Sequence, residues 1–379
     1  MSEFQYVARK EHYGWVLFDT KSYSVHRVDS HYINELEKHY SIRRVSNNII
    51  EGALTAPIKV FIDITNKCNL KCLHCHSDSK PESDINISFG KMKEIIDECY
   101  NLGVFVIKLS GGELLLRDDI WKIAEIIRTK GMGLTMATNG TILSNYIIEM
   151  IKKYNVKIGV SLDGCEETHD KIRGKGVYRK ALDTLTQLVS AGINTKIHFT
   201  LMTKNLNEIY HMVELSKKLN VTLKVVRAKP LNRAIDNGLA LEHINNEYIK
   251  GISLLNECEQ CKTEDIMKID RGQASQIILN PLDCGAGTRV LSIRANGDVS
   301  PCAFLGKEYV GGNINKDKIS EIWKNSNQFY MIRNMPFNSN CLACERKDFC
   351  HGGCPAMSLY NTGRLNGIDP GCLAESVSY

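Results

Sequence analysis

From residue 60 the chain alternates short apolar runs with amphipathic stretches. Segments 60–65 (VFIDIT), 104–110 (VFVIKLS), 133–138 (GLTMAT), 156–162 (VKIGVSL), 194–202 (NTKIHFTLM) and 221–226 (VTLKVV) have the length and β-branched content of strands. Between them, 90–102 places Ile95, Ile96, Cys99 and Leu102 on one face, the spacing of a helix packed on a core. Strand–helix alternation predicts parallel pairing through right-handed crossovers. Six such units predict an α/β fold: a partial (β/α)6 TIM-like barrel with its chemistry at the carboxyl ends of the strands.

The pattern also divides the chain. Residues 1–55 read as a small N-terminal unit, with a hairpin over 14–28 and a short helix over 31–40. It is either a reduced peptide-recognition domain or a cap on the barrel. The barrel is expected over 56–235, a polar, less regular connector over 236–283, and a cysteine- and glycine-rich small domain over 284–379, where metals substitute for a core. No internal repeat or low-complexity tract interrupts this plan.

With 43% hydrophobic and 24% charged residues, the composition is that of a folded globular protein and excludes a disordered or fibrous one. The net charge of +5 is spread without a basic run, so neither nucleic acid nor an acidic membrane is expected as a partner. Met1–Tyr6 shows no basic segment leading into an apolar one, and no stretch approaches bilayer-spanning length. A cytoplasmic location is expected. Fourteen cysteines in a reducing compartment point to thiolate metal ligands rather than disulfides.

Cys68, Cys72 and Cys75 directly follow the first strand, so three thiolates share one loop at a strand's carboxyl end. Three ligands leave one iron of a cubane open to an external ligand, whereas a structural zinc closes with a fourth, for which His74 and His76 are the nearby candidates. The CxxxCxxC spacing after a first strand resembles the radical S-adenosylmethionine (SAM) superfamily. That resemblance implies a [4Fe-4S] cluster on the three cysteines, SAM chelated at the open iron, and reductive cleavage of SAM to a hydrogen-abstracting 5′-deoxyadenosyl radical. It also implies a low-potential donor such as flavodoxin or ferredoxin.

Further along the barrel, Gly111-Gly112-Glu113 matches the family's GGE motif, which contacts the SAM amino group. Two glycines permit close backbone approach, and a carboxylate pairs with an ammonium. Ser161-Leu162-Asp163-Gly164 with His169-Asp170 and Arg173-Gly174 resembles the SLDG…HD..RG stretch of peptide-modifying members. Ser161 is thereby implied as a SAM contact, while Asp163 and Arg173 either contact SAM or tie the loop together. Thr138-Asn139-Gly140 is similar to a family turn near the ligand, and Asn-Gly is also an ordinary turn pair. Two positions depart from the pattern: His74 stands where an aromatic residue is common, and Asn232 replaces glycine in the segment Arg227–Ala234. Arg227 and Arg233 can reach either an active-site carboxylate or the connector. No catalytic residue is assigned.

The C-terminal set of Cys284, Gly297, Cys302, Cys341, Cys344, Cys350, Cys354 and Cys372 resembles the SPASM domain, which carries auxiliary clusters. Apart from that resemblance, the same spacings suit zinc ribbons. The resemblance implies Cys341, Cys344, Cys350 and Cys372 at an outer cluster, and Cys284, Cys302 and Cys354 at an inner one, completed by Cys258 or Cys261 or left open to substrate. Cys99 reads as core, and Cys165 is left without a partner.

SPASM enzymes crosslink, epimerise or decarboxylate peptides, mature sulfatases, or decarboxylate haem precursors. Pro301-Cys302-Ala303-Phe304 lacks the aspartate that follows this cysteine in sulfatase-maturing members, which argues against that branch. A peptide substrate is expected. A tetrapyrrole is the alternative, because Gly312-Asn313-Ile314, Glu321-Ile322-Trp323 and Asp369-Pro370-x-Cys372 also occur in that branch. A non-catalytic iron-sulfur or zinc protein is the reading from another class, and it would have no use for an open triad followed by GGE.

Overall fold

A computed structural model describes residues 3–50, 52–241, 246–259, 261–263, 285–345 and 347–372. The chain opens with strands β1 (Tyr6–Glu11), β2 (Gly14–Asp19), β3 (Val25–Val28) and β4 (Ile42–Ser46), ordered β3-β2-β1-β4. β2 and β3 form the expected hairpin. Helix α1 (Ser30–Glu37) begins where the Asp29 side chain accepts from the Tyr32 amide. One face of the sheet gathers Ala8, Trp15, Leu17 and Ile33. The other packs Val7, Val16, Phe18 and Val45 against Phe105 and Val106 of the barrel, with Phe18 and Phe105 stacked at 5.2 Å. Fully buried Arg9 donates to the Pro57 and Gly103 carbonyls at 2.9 Å each, tying the sheet to the barrel's lower end.

The six apolar runs become β5 (Lys59–Asp63), β6 (Val106–Ser110), β7 (Gly133–Thr138), β8 (Lys157–Ser161), β9 (Thr195–Leu201) and β10 (Thr222–Arg227), parallel and adjacent in that order. In β9, Ile197, Phe199 and Leu201 are buried in the core shared with the helices, while Lys196, His198 and Thr200 alternate onto the opposite, inner face. Helices α2 (Phe89–Leu102), α3 (Ile120–Thr129), α4 (Asn145–Lys153), α5 (Glu166–Arg173), α6 (Val177–Ser190) and α7 (Ile209–Leu219) form the outer layer. α2 shows why. Ser88 caps its start, Met92, Ile95, Ile96 and Cys99 form one buried stripe, and Gly103 at φ 70° ends it. Each buried isoleucine contributes roughly 1.5–3 kcal/mol.

The fold is α/β with a parallel core, as expected, but the sheet is wider than six strands. β11 (Cys261–Thr263) adds in parallel beside β10, and β12 (Val290–Ile293) in parallel beside β5. β13 (Asp298–Ser300) and β14 (Gly312–Asn313) continue outward from β12 in antiparallel fashion. The C-terminal part is thus built onto the barrel's first strand. Trp323 and Phe329 join the main core, and the Trp323 indole donates to the Leu54 carbonyl at 3.0 Å. Among the described residues no helix is long and apolar enough to cross a membrane.

Candidate active site

The loop after β5 carries Cys68, Cys72 and Cys75, the first two buried and the third half-buried. Backbone amides face the sulfurs: Leu70 N–H lies 3.4 Å from Cys68 Sγ, and Ser79 N–H 3.4 Å from Cys75 Sγ. Such donors stabilise thiolates. Burial pushes the Cys68 thiol up to about 11 and raises that of Cys72, and the three sulfurs sit within electrostatic range of one another. Metal loading at this loop therefore has to displace protons.

The arrangement suits a cubane better than a single ion. A structural zinc would need a fourth ligand beside the three thiols, and the two nearby imidazoles are not turned to supply it. His74 Nε2 faces Arg173 at 3.3 Å and Asp163 at 3.7 Å, while His76 faces Asp63 at 4.0 Å and meets the Phe304 ring edge-on at 5.1 Å. His74 Nδ1 is buried without a hydrogen-bond partner among the described residues, an acceptor or donor left for a ligand beside the loop. Three thiols, two of them buried and two faced by backbone amides, with an orphaned polar atom next to them, fit a cluster with a bound small molecule.

The strand ends hold this loop in place. Gly112 N–H donates to the Thr65 carbonyl at 2.6 Å and Glu113 N–H to the Lys67 carbonyl at 2.9 Å, so the GGE turn lies directly on the backbone leading to Cys68. A Cβ on Gly112 would run into the Lys67 carbonyl, which makes glycine obligatory there for the close approach. Glu113 is fully buried. Its carboxylate accepts from Thr138 Oγ1 at 2.8 Å, Asn139 N–H at 2.8 Å and Leu115 N–H at 3.2 Å. Burial raises the Glu113 carboxyl, opposed by these three donors. Asn139, read from sequence either as part of a turn near the ligand or as an ordinary turn residue, reaches Asn69 at 2.9 Å and lies 3.9 Å from Cys68 Sγ.

At the end of β8, Ser161 is half-buried opposite His198 of β9. Asp163 is fully buried and accepts Arg173 Nε at 2.6 Å and the Thr200 amide at 2.9 Å. Its own N–H donates to His169 Nδ1 at 3.1 Å, which places any His169 proton on Nε2. Burial works against the Asp163 carboxylate, but the Arg173 guanidinium beside it holds its pKa below the ordinary range. Burial also lowers His74 to about 3, so it is a neutral imidazole at any working pH. Arg173 joins Asp163 to the Cys72–Cys75 side of the loop through charge. Asp170 serves the backbone, accepting from the Gly176 and Tyr178 amides.

Among the described C-terminal cysteines, two pairs come together. Cys302 and Cys354 lie in mutual electrostatic range, as do Cys350 and Cys372. Cys341, its amide capped by Asn338 at 2.9 Å, lines a cavity of about 320 Å³ with Phe337, His351 and Gly353. Cys344 follows one turn later, its amide bonded to the Cys341 carbonyl. Cys284 lies outside the described residues. Cys258 and Cys261 are joined as a disulfide, so either can ligate a cluster only in the reduced chain. Arg227 at the end of β10 forms a buried two-point ion pair with Asp369 at 2.6 and 2.7 Å, and Asp369 also accepts from the Cys354 amide at 2.7 Å. Arg233 instead reaches Asp78 and the Ser79 carbonyl beside the first loop. Cys99 is fully buried core, and Cys165 donates to Glu208 at 3.3 Å.

An open-sided thiol triad at the strand ends of a partial barrel, beside a second set of cysteines, defines an iron-sulfur enzyme that binds a small molecule at its first cluster. The family model of the radical SAM superfamily matches residues 62–216, and that of the SPASM iron-sulfur cluster-binding domain matches 284–345. The mycofactocin maturase MftC of Mycobacterium tuberculosis is 30% identical over 332 residues, covering 85% of this chain and 84% of the relative. An AdoMet-dependent heme synthase of Methanosarcina barkeri is 30% identical over 345 residues, covering 84% and 97%. The fold matches that of Streptococcus suis SuiB bound to its precursor peptide SuiA with a TM-score of 0.72 at 17% identity, covering 97% of this chain and 99% of that one.

The chain belongs to the radical SAM superfamily and carries a SPASM domain. Its cofactors are a [4Fe-4S] cluster, SAM and the iron-sulfur content of the SPASM domain. Cluster and SAM together supply a hydrogen-abstracting radical. The chain's own contribution is to hold the cysteine loop against the GGE turn and to fix Asp163 and Arg173 beside it.

Proposed function

We propose that this enzyme abstracts a hydrogen atom from a ribosomally made peptide, leading to crosslinking, epimerisation or decarboxylation. Cys68, Cys72 and Cys75 hold the SAM-binding cluster, and Gly111, Gly112, Glu113, Ser161, Asp163 and Arg173 shape the SAM site. Cys302 and Cys354, with Cys284, hold an inner auxiliary cluster; Cys341, Cys344, Cys350 and Cys372 hold an outer one. Flavodoxin or ferredoxin supplies the electron.

The observation that carries the chemistry is the cysteine triad with amides on two of its sulfurs and the orphaned His74 nitrogen beside it. The peptide is supported by the likeness to a mycofactocin maturase over most of both chains, and by the likeness to a subtilosin biosynthesis protein of Bacillus subtilis at 28% identity. A tetrapyrrole is the second reading, because a heme synthase is equally similar.

Anaerobically reconstituted enzyme, SAM and reductant incubated separately with any peptide encoded beside its gene and with an iron-coproporphyrin decide between them. A peptide mass change accompanied by 5′-deoxyadenosine supports the maturase. Porphyrin decarboxylation with an untouched peptide refutes it.

A further inference from the structure

Just beyond β10, Lys229 is buried, 5% exposed, and its ammonium lies 3.5 Å from Cys354 Sγ. The same ammonium sits 5.6 Å from the centre of the Phe304 ring. The Phe304 amide in turn lies 3.4 Å from Cys302 Sγ. The two cysteines placed above at the inner auxiliary cluster are therefore served by one buried cation and one backbone N–H. Lys229 and Arg294 both act electrostatically on Cys302. The neighbouring carboxylate, Asp369, is matched by Arg227, so that pair adds little net charge.

We propose that Lys229 is a positioning residue that sets the reduction potential of the inner auxiliary cluster, raising it by placing a buried positive charge and an N–H···S bond at Cys354. Reduction adds a negative charge to the cluster. A nearby cation and a hydrogen bond to a ligand sulfur stabilise that reduced form, and the low dielectric of a buried site strengthens both effects. Lys229 stands on the segment that leaves the barrel, with Phe304 between it and His76, the residue after Cys75. A cluster poised upward at this place is a better acceptor of one electron from the barrel side.

The inference rests on Cys302 and Cys354 being cluster ligands, and the test separates the two. In a chain with Cys68, Cys72 and Cys75 all changed to Ala, only auxiliary clusters are loaded, and iron analysis with an EPR-monitored redox titration reads them. Lys229→Met is expected to lower the midpoint of one auxiliary cluster and leave the other unmoved; Lys229→Arg is expected to restore most of the shift. Iron present with an unmoved midpoint overturns the role of Lys229 alone. A chain that takes up no iron overturns the ligand assignment and the inference with it. A second measurement needs no substitution at Lys229: with lysine labelled by 15N at Nζ, pulsed EPR of the reduced auxiliary cluster should show a weak nitrogen coupling. Its absence overturns the proposal even where Lys229→Met fails to fold.

Discussion

Replacing Asp369 by Ala should loosen the C-terminal cysteines from the barrel. Its carboxylate is 6% exposed, takes both terminal nitrogens of a buried arginine, and accepts from the amides of Cys354 and Gly371 at 2.7 Å each. Alanine takes away the buried two-point carboxylate partner of the Arg227 guanidinium, and breaking such a pair costs about 3–5 kcal/mol. The two freed amides add on the order of 1 kcal/mol each, less whatever water recovers. Because Asp369 bonds the amide of Cys354 and its own carbonyl accepts from Cys372, both auxiliary sites lose a fixed point at once. The assay is urea unfolding of the reconstituted chain followed by tryptophan fluorescence, alongside iron per chain. Asp369→Ala should lower the midpoint and the iron content together. The paired change Arg227→Met with Asp369→Leu should recover much of the stability, since an apolar pair removes both buried charges together. A single Asp369→Ala variant with wild-type midpoint and iron would refute the reasoning.

Other consequences follow from the same geometry. Gly112→Ala should abolish SAM binding by equilibrium dialysis, because the added methyl meets backbone that cannot move without displacing the Cys68 loop. Asp163 contributes stability that is full above an unfolded carboxylate pKa of about 3.9 and is lost as pH falls through its depressed folded value; Asp163→Asn should therefore flatten the acid limb of a stability–pH curve, and an unchanged limb would count against the Arg173 pair. Trp323→Phe should cost about 1–3 kcal/mol by leaving the buried Leu54 carbonyl without its donor, readable as a lowered thermal midpoint.

The strands and the first cysteine loop were legible because their signals are local. Period-two alternation in runs such as 194–202 marks a strand whatever its partner, and CxxxCxxC lies within eight residues. β12 was not legible. Val290–Ile293 is four residues long, and its place beside β5 depends on a parallel pairing more than two hundred residues away. β4 was missed for a different reason: its sequence IRRVS buries only Val45, as an edge strand can. The carboxylate that Arg227 seeks was also hidden, since nothing in the segment Arg227–Ala234 points to Asp369. Cys165 found its partner in Glu208 by the same kind of long-range meeting.

The most direct test of the account is the yield of 5′-deoxyadenosine from SAM by the anaerobically reconstituted, dithionite-reduced chain, compared with the variant in which Cys68, Cys72 and Cys75 are all Ala. The account predicts 5′-deoxyadenosine from the first and none from the second, with about four fewer irons per chain in the variant and the fold retained. Equal yields from the two would contradict it.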